Sequence, residues 1–453
     1  MSFHSKDKLT DTSLFRLIFR LGLPAILGLS ANAINQFVDA LWITRLSPFA
    51  MASIGVTFPI FMLATAATVG FGAAVASVIG RRLGQGDTQG AENASMSAMV
   101  LAGGIAIGIA LLLLWSPEEL LKAVGASEHT YEMARQYLIL LLCATPLVTF
   151  QIISDFCALG SGNSKWSMIA LFVCFGTNMV LDPIFIFGFG WGVTGAALAT
   201  IAGQVAACVL YVVWFRRGSL GFSPFRGRFK RSECVALLRL SPPMTIVNIL
   251  TAVSFLLFLR EIARLADDTY VAALTFDLRL MALIIIPVQG LALGAQAAVS
   301  HAYGAQNHDR CLKLVHRILL LSVCIGCTMS GLVVALGPQL LPVLIPSLEM
   351  QQATTEIFTY LFGYIAMSCV FIPLLSGFQA MDRAAFAAIV ALAPNGYIML
   401  PLLIILPNMM GLTGVLWVPV FAGIGTAAIA VLLHGLVLFQ TRREITLASG
   451  ETA

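Results

Sequence analysis

LGLPAILGLSANAINQFVDALWITRL, residues 21–46, is a membrane-length apolar run with one acid inside it, Asp39. A carboxylate at the centre of a bilayer-spanning helix costs about 2.5–3.5 kcal/mol on insertion scales, so an acid kept there points to function. Asn32, Asn35, Gln36 and Asp39 recur at i, i+3, i+4, i+7, so a helix over this stretch carries one polar stripe. Ile26, Leu27, Ile34 and Leu41 are left for lipid or packing. The stripe is expected to face protein or a cavity.

The same character extends through all 453 residues, of which 59% are hydrophobic and 11% charged, with a mean hydropathy of +0.92. A soluble chain carries about 25% charged residues, and a soluble helical core would leave too little charge here to solvate its surface. The chain reads as a polytopic membrane protein. Charge-free runs at Leu46–Gly80, Asn93–Pro117, Pro183–Phe215, Ile318–Leu348 and Ala384–Thr441 each accommodate one or two spans of about 20 residues. Lys6, Lys8, Arg16 and Arg20 lead into a first span too long and too polar-striped for a cleavable signal.

Hydropathy and Gly/Pro punctuation predict an all-α protein with twelve transmembrane helices, near 17–44, 50–80, 93–115, 133–158, 166–188, 193–215, 237–263, 272–300, 312–336, 353–379, 385–407 and 412–439. Under this division 20 of the 26 Lys and Arg fall on one side, while Glu118, Glu119, Glu128, Glu132, Asp267, Asp268 and Glu349 fall on the other. The positive-inside rule then makes both termini cytoplasmic, in a plasma or inner membrane. Basic residues cluster most densely in the mid-chain segment FRRGSLGFSPFRGRFKRSECVALLR, residues 215–239. It reads as a linker between halves, with an anionic-lipid site as the alternative. The charge distribution argues orientation in the membrane, and no nucleic-acid partner is expected.

The halves resemble each other. A shift of 219 places Leu21-Gly-Leu-Pro24 on Leu240-Ser-Pro-Pro243, Arg45-Leu46 on Arg264-Leu265, and Gly192-Val-Thr-Gly195 on Gly411-Leu-Thr-Gly414; a shift of 220 places Gly84-Gln-Gly-Asp87 on Gly304-Ala-Gln-Asn307. Ordered matches at one offset predict a duplicated six-helix bundle, with the copies related by a pseudo-two-fold axis along the membrane normal. The expected organisation is an N-terminal bundle over 1–215, a basic connector over 216–236, a C-terminal bundle over 237–440 and a tail over 441–453. Two such bundles with a cleft between them are the usual build of an alternating-access carrier.

Asp182, in CFGTNMVLDPIFIFGFGWG, is the second acid deep in apolar sequence. Asn178 precedes it by one helical turn, and Pro183 after it weakens the helix. At about 1.5 Å per residue, Asp39 and Asp182 are expected roughly 8–9 Å below the outer ends of their spans. Two carboxylates at one depth in a poorly solvated bundle cannot both ionise freely, so the pair can load and release a proton. The same oxygens, with Asn178 and the Thr200 hydroxyl, make Na⁺ the alternative ion. The rival reading pairs Asp39 with Arg45 and makes Asp182 a helix-end cap. The second half has no counterpart acid: Asp39 falls on Phe258 under the 219 shift, and Asp182 on Leu400 under a shift of 218. Coupling is therefore expected in the first bundle alone.

Other residues rank lower. Asp155 reads as a boundary residue; Asp277 and Arg279 either pair or line the cleft; Arg260, Glu261 and Arg264 form a solvated helix end. Asn32, Asn35, Gln36, Tyr364, Met367 and Arg279 are candidate cleft residues for substrate. The nine cysteines show no metal-ligand rhythm, and Cys324-Ile-Gly-Cys327 reads as a buried packing pair. Phosphate-loop spacing, zinc spacing and a nucleophile elbow are absent, since Gly160-Ser-Gly-Asn-Ser-Lys165 fails the first. Neither an enzyme nor a cofactor is expected.

Val38-Asp-Ala-Leu-Trp-Ile43, Arg81-Arg-Leu-Gly-Gln-Gly-Asp87, Ala158-Leu-Gly-Ser-Gly-Asn163, Leu181-Asp-Pro-Ile-Phe-Ile186 and Gly192-Val-Thr-Gly-Ala-Ala-Leu-Ala-Thr200 together resemble the multidrug and toxic compound extrusion (MATE) family over essentially the whole chain. Within it the chain is most similar to the DNA-damage-inducible protein F type branch, with acids in spans one and five and partners at positions matching Asn178 and Thr200. The resemblance implies a bend of the first span at Pro24 on protonation of its acid. The sodium-coupled branch places acids in spans seven and ten; here span ten has only Glu356 near its outer end. The expected function is a cation-coupled antiporter, with H⁺ ahead of Na⁺, working as a monomer among membrane lipids. It would export amphipathic, often cationic organic compounds. The alternative is a lipid or lipid-linked-sugar flippase of a related family, which would be expected to line its cleft with more cations than Arg135 and Arg279 supply.

Overall fold

A computed structural model describes residues 14–304 and 306–449; Lys6 and Lys8 lie outside the described residues. Every regular element among these residues is helical. Ten of the helices are long and apolar enough to cross a membrane. Contacts sort the chain into two units, a larger one of Asn35–Phe276 and Leu344–Ala353 and a smaller one holding the chain up to Ile34, Asp277–Val343 and the chain from Thr354. These boundaries fall inside helices.

The larger unit takes the second part of α1 (Leu14–Thr44), then α2 (Pro48–Gly84), α3 (Thr88–Trp115), the short α4 (Pro117–Val124), α5 (Glu128–Gly160), α6 (Ser164–Pro183), α7 (Gly192–Arg217), the short α8 (Arg231–Leu240), α9 (Pro242–Leu265) and the start of α10 (Asp268–Gly304). Helix starts follow local chemistry. Ser47 accepts from the Ala50 N–H at 3.0 Å with Pro48 in the first turn, Asp87 accepts from the Gly90 N–H at 2.8 Å, and Ser127 and Thr130 form a reciprocal capping box. Its core sets Phe71, Val75 and Ile79 of α2 against Ile153 and Cys157 of α5 and an alanine stripe on α3, Ala91, Ala94 and Ala98, each 0% exposed. Small residues at such a seam let membrane helices approach closely.

The smaller unit holds the rest of α10, α11 (His308–Leu344), most of α12 (Leu348–Ala380), α13 (Ala384–Leu392) and α14 (Met399–Ser449), with a π-helical turn at Ala393–Tyr397. Its core gathers Leu291, Val299, Leu314, Phe371 and Phe378. A side chain at Gly290 would meet the Ile26 backbone at 2.6 Å, which places the first part of α1 against α10 at backbone contact. Cys324 and Cys327 are free and exposed on α11, not the buried packing pair expected, because an apolar helix face turned to lipid needs no protein partner.

Helix starts recur along the chain: Pro48 and Asp268, Thr88 and His308, Glu128 and Leu348, Ser164 and Ala384 are each separated by 220 residues. Left-handed backbone recurs with them, at Gly86 (φ 76°) and Gln306 (φ 54°), Gly162 (φ 76°) and Asp382 (φ 56°), and Gly192 (φ 54°) and Gly411 (φ 59°). Three residues beyond each of the last pair, a glycine presses on a preceding carbonyl. A Cβ at Gly195 would lie 2.7 Å from the Phe185 carbonyl oxygen, and one at Gly414 would lie 2.2 Å from that of Leu406.

Candidate cation site

Helices α6 and α7 touch backbone to backbone because Gly203 has no side chain: a Cβ there would lie 2.4 Å from the Cys174 carbonyl oxygen and 3.4 Å from Asn178 Cβ. That approach brings Thr200, nearly a turn earlier on α7, to Asn178. The Asn178 amide Nδ2 donates to Asp182 Oδ1 at 3.0 Å and to Thr200 Oγ1 at 3.4 Å, while the Thr200 hydroxyl donates to the Ala196 carbonyl at 3.0 Å. Asp182 is 0% exposed and Asn178 4%. The three residues expected from sequence to act together are joined by direct bonds.

Directly after the acid the helix changes form. Pro183 has no N–H to continue the ladder, and Ile184–Gly188 is a π-helical turn; such turns concentrate at functional sites. Its Phe187 ring meets Trp42 edge-on, with centroids 6.1 Å apart. Trp42 lies three residues beyond Asp39 on α1, so the acid-bearing ends of α1 and α6 lie side by side in the larger unit. Asp39 is 8% exposed. The Arg45 guanidinium lies over the Trp42 ring, 5.1 Å from its centroid.

Along the polar stripe of α1, Asn32 is exposed, Asn35 and Gln36 are half-buried, and Asp39 is buried. The α1 backbone is helical through position 24. Tyr364 and Met367 lie half-buried on α12, where the absence of a side chain at Gly423 lets α14 come close: a Cβ there would be 3.1 Å from Met367 Cβ and 3.2 Å from the Tyr364 ring. Arg279 is half-buried on α10. Arg135 is exposed and pairs with Glu132 at 3.5 Å. Glu356 is exposed in α12, and Arg264 pairs with Glu261 at 2.7 Å at the solvated end of α9.

One acid stands differently from its sequence reading, and a second keeps only one of its two. Asp155 is no boundary residue: Tyr211 donates its hydroxyl to Oδ1, Ser167 donates to the same oxygen at 3.2 Å, and Gln151 donates to Oδ2 at 3.5 Å. All three donors are buried, and they tie α5, α6 and α7 together. Gln151, one turn before Asp155, was the one visible signal. Asp277 is 0% exposed, and among the described residues no donor, Arg279 included, reaches either of its oxygens within hydrogen-bonding distance. Among the described residues no cluster of three or more His, Cys, Asp or Glu could hold a metal.

Comparison with known proteins names the class to which this helical membrane fold, with its buried acid–amide–hydroxyl cluster, belongs. The chain belongs to the MatE family, whose model matches residues 24–184 and 243–405. It is similar to multidrug export protein MepA of Staphylococcus aureus (strain NCTC 8325 / PS 47), 24% identical over 445 residues and covering 96% of each chain. Its counterpart in Staphylococcus saprophyticus is 23% identical over 448 residues, covering 97% of each. Among solved structures, the fold matches an inward-facing multidrug resistance MATE family transporter of the MOP superfamily with a TM-score of 0.83, at 22% identity, over 95% of this chain and 100% of the other. An outward-facing form of such a transporter matches with a TM-score of 0.74 over 98% and 100%.

Proposed function

We propose that this protein is an H⁺-coupled antiporter that exports amphipathic, often cationic organic compounds by alternating access. Both termini are cytoplasmic in this reading. The names of its relatives support drug export, and the bonded trio Asn178, Asp182 and Thr200 beside Asp39 carries the coupling reading. Twelve spans follow from the ten apolar helices if α1 is added and the last run is divided at Gly411. The 220-residue recurrence supports two homologous bundles. In the trio, Asn178 turns its N–H donors inward, toward Asp182 and Thr200. Sodium takes oxygen ligands, so an inward amide donor favours a carboxyl that gains and loses a proton over a caged Na⁺.

A proton entering Asp39 or Asp182 favours the state that releases substrate outside, and its loss to the cytoplasm resets the carrier. One charge crossing about 100 mV is worth roughly 2.3 kcal/mol, and one pH unit about 1.4 kcal/mol. A single proton can therefore hold a gradient of a few hundredfold for a neutral substrate. Dye efflux in inverted vesicles under an imposed pH or Na⁺ gradient tests this. Wild type is expected to respond to pH, and Asp39→Asn and Asp182→Asn to lose the response. Unchanged pH-driven export in both variants removes the coupling assignment, and export driven by Na⁺ alone transfers it to the other ion.

A further inference from the structure

The segment joining α7 to α9, residues 216–240, carries seven Lys and Arg and one acid, Glu233. All seven cations are exposed, whereas Glu233 is 8% exposed and is held by the Arg82 guanidinium at 3.0 Å. The charge this segment presents outward is therefore positive throughout.

It is not a slack linker. Glu92 Oε1 accepts the Ser223 N–H at 3.1 Å, Asn93 Oδ1 accepts the Arg228 N–H at 2.8 Å, and Ser97 Oγ accepts the Lys230 N–H at 3.0 Å, all from the first turns of α3. Gly227 lies so close to α3 that a Cβ would meet the Glu92 carbonyl oxygen at 2.0 Å. With the backbone bound inward, side chains between these anchors are displayed outward. Phe225 is 42% exposed and Phe229 55%, and they alternate with Arg226, Arg228 and Lys230. This strap lies where α2 and α7 end and α3 begins, all three helices of membrane length.

Aromatic rings settle at headgroup level, and clustered cations beside a span attract anionic lipid. We propose that this strap is a built binding site for anionic phospholipid: headgroup phosphates engage Arg216, Arg226, Arg228 and Arg231, and Phe225 and Phe229 enter the headgroup boundary. A free phosphate would use the cations but not the two phenyl rings, which sets a lipid ahead of a soluble anion. The assignment stands independently of ion coupling.

Native mass spectrometry of the full chain released from micelles holding equal phosphatidylglycerol and phosphatidylcholine reads this preference. Wild type is expected to retain phosphatidylglycerol at least about tenfold over phosphatidylcholine, and R216Q/R226Q/R228Q/R231Q to fall to near parity. F225A/F229A is expected to lower the preference several-fold with every cation in place, and excess glycerol 3-phosphate to leave the lipid bound. Should the quadruple variant fail to fold, R226Q/R228Q decides the same question through a partial loss. Equal retention of both lipids by wild type, or an unchanged preference in the charge variants, overturns the proposal. Displacement of the lipid by glycerol 3-phosphate, or an unchanged preference in F225A/F229A, overturns the lipid assignment in favour of a soluble phosphate.

Discussion

Asp182 and Asp155 are two carboxyls set between α6 and its neighbours, and their surroundings differ. Asp182 accepts the Asn178 amide of its own helix at 3.0 Å, beside Thr200 of α7. Asp155 takes three buried donors from three helices. Asp155→Ala would strand the Tyr211 hydroxyl, itself 0% exposed, and leaving such a donor unsatisfied costs about 1–3 kcal/mol. A lower melting midpoint in detergent is expected, with a smaller drop for Asp155→Asn, which keeps an acceptor. An unchanged midpoint in Asp155→Ala would contradict the cluster. The acids of α1 and α6 were legible because a charge in an apolar run is conspicuous and Asn178 sits one turn from Asp182. Asp155 was misread because it lies five residues from the end of α5, where charges are ordinarily solvated. Its partners Ser167 and Tyr211 are 12 and 56 residues away, beyond any local spacing rule.

Between elements, glycine sets the distances that make the site. Gly203→Ala would put a Cβ 2.4 Å from the Cys174 carbonyl oxygen, a backbone group that cannot swing aside. Overpacking of this kind costs about 1–3 kcal/mol. The relief available is for α7 to move off α6, which takes Thr200 from Asn178. Gly203→Ala is therefore expected to lower both the melting midpoint and pH-driven export; loss of neither would mean that the helices are not in backbone contact. At the turn between α2 and α3, the Arg82 hydrogen bond, aided by the Gly90 N–H, holds the Asp87 carboxyl below the usual carboxylate range. A lowered carboxyl contributes stability above its unfolded value and loses it as pH falls through the folded one, so this turn is intact across about pH 5–8. Arg82→Gln should accordingly leave the shape of the export pH profile in that window unchanged, and a shifted profile would place a titrating group at the turn.

Over the whole molecule, the 220-residue recurrence of helix starts and left-handed turns sits beside a one-sided distribution of acids. Phe258, the position that the 219 shift matches to Asp39, is 2% exposed, so a ring is buried there where α1 buries a carboxyl. The all-helical, membrane-crossing character of the chain was legible because hydropathy is a local signal. The grouping into units was not, since contacts that divide α1 at Ile34 and α10 at Phe276 depend on packing between distant stretches. One-for-one exchange also makes a prediction at this scale. For a monovalent organic cation the voltage term cancels, so export should follow the pH difference and ignore an imposed potential, whereas a neutral substrate should respond to both. Potential-driven export of the cation at equal pH would rule out that stoichiometry.

If protonation of the buried acids and substrate occupancy oppose each other, adding substrate must expel protons. Purified full-length protein titrated with tetraphenylphosphonium in weakly buffered detergent, with a pH dye as reporter, measures this without any membrane gradient. Proton release is predicted from wild type and its loss from Asp182→Asn, with binding of the compound retained in both. Equal proton release from the two proteins would contradict the account.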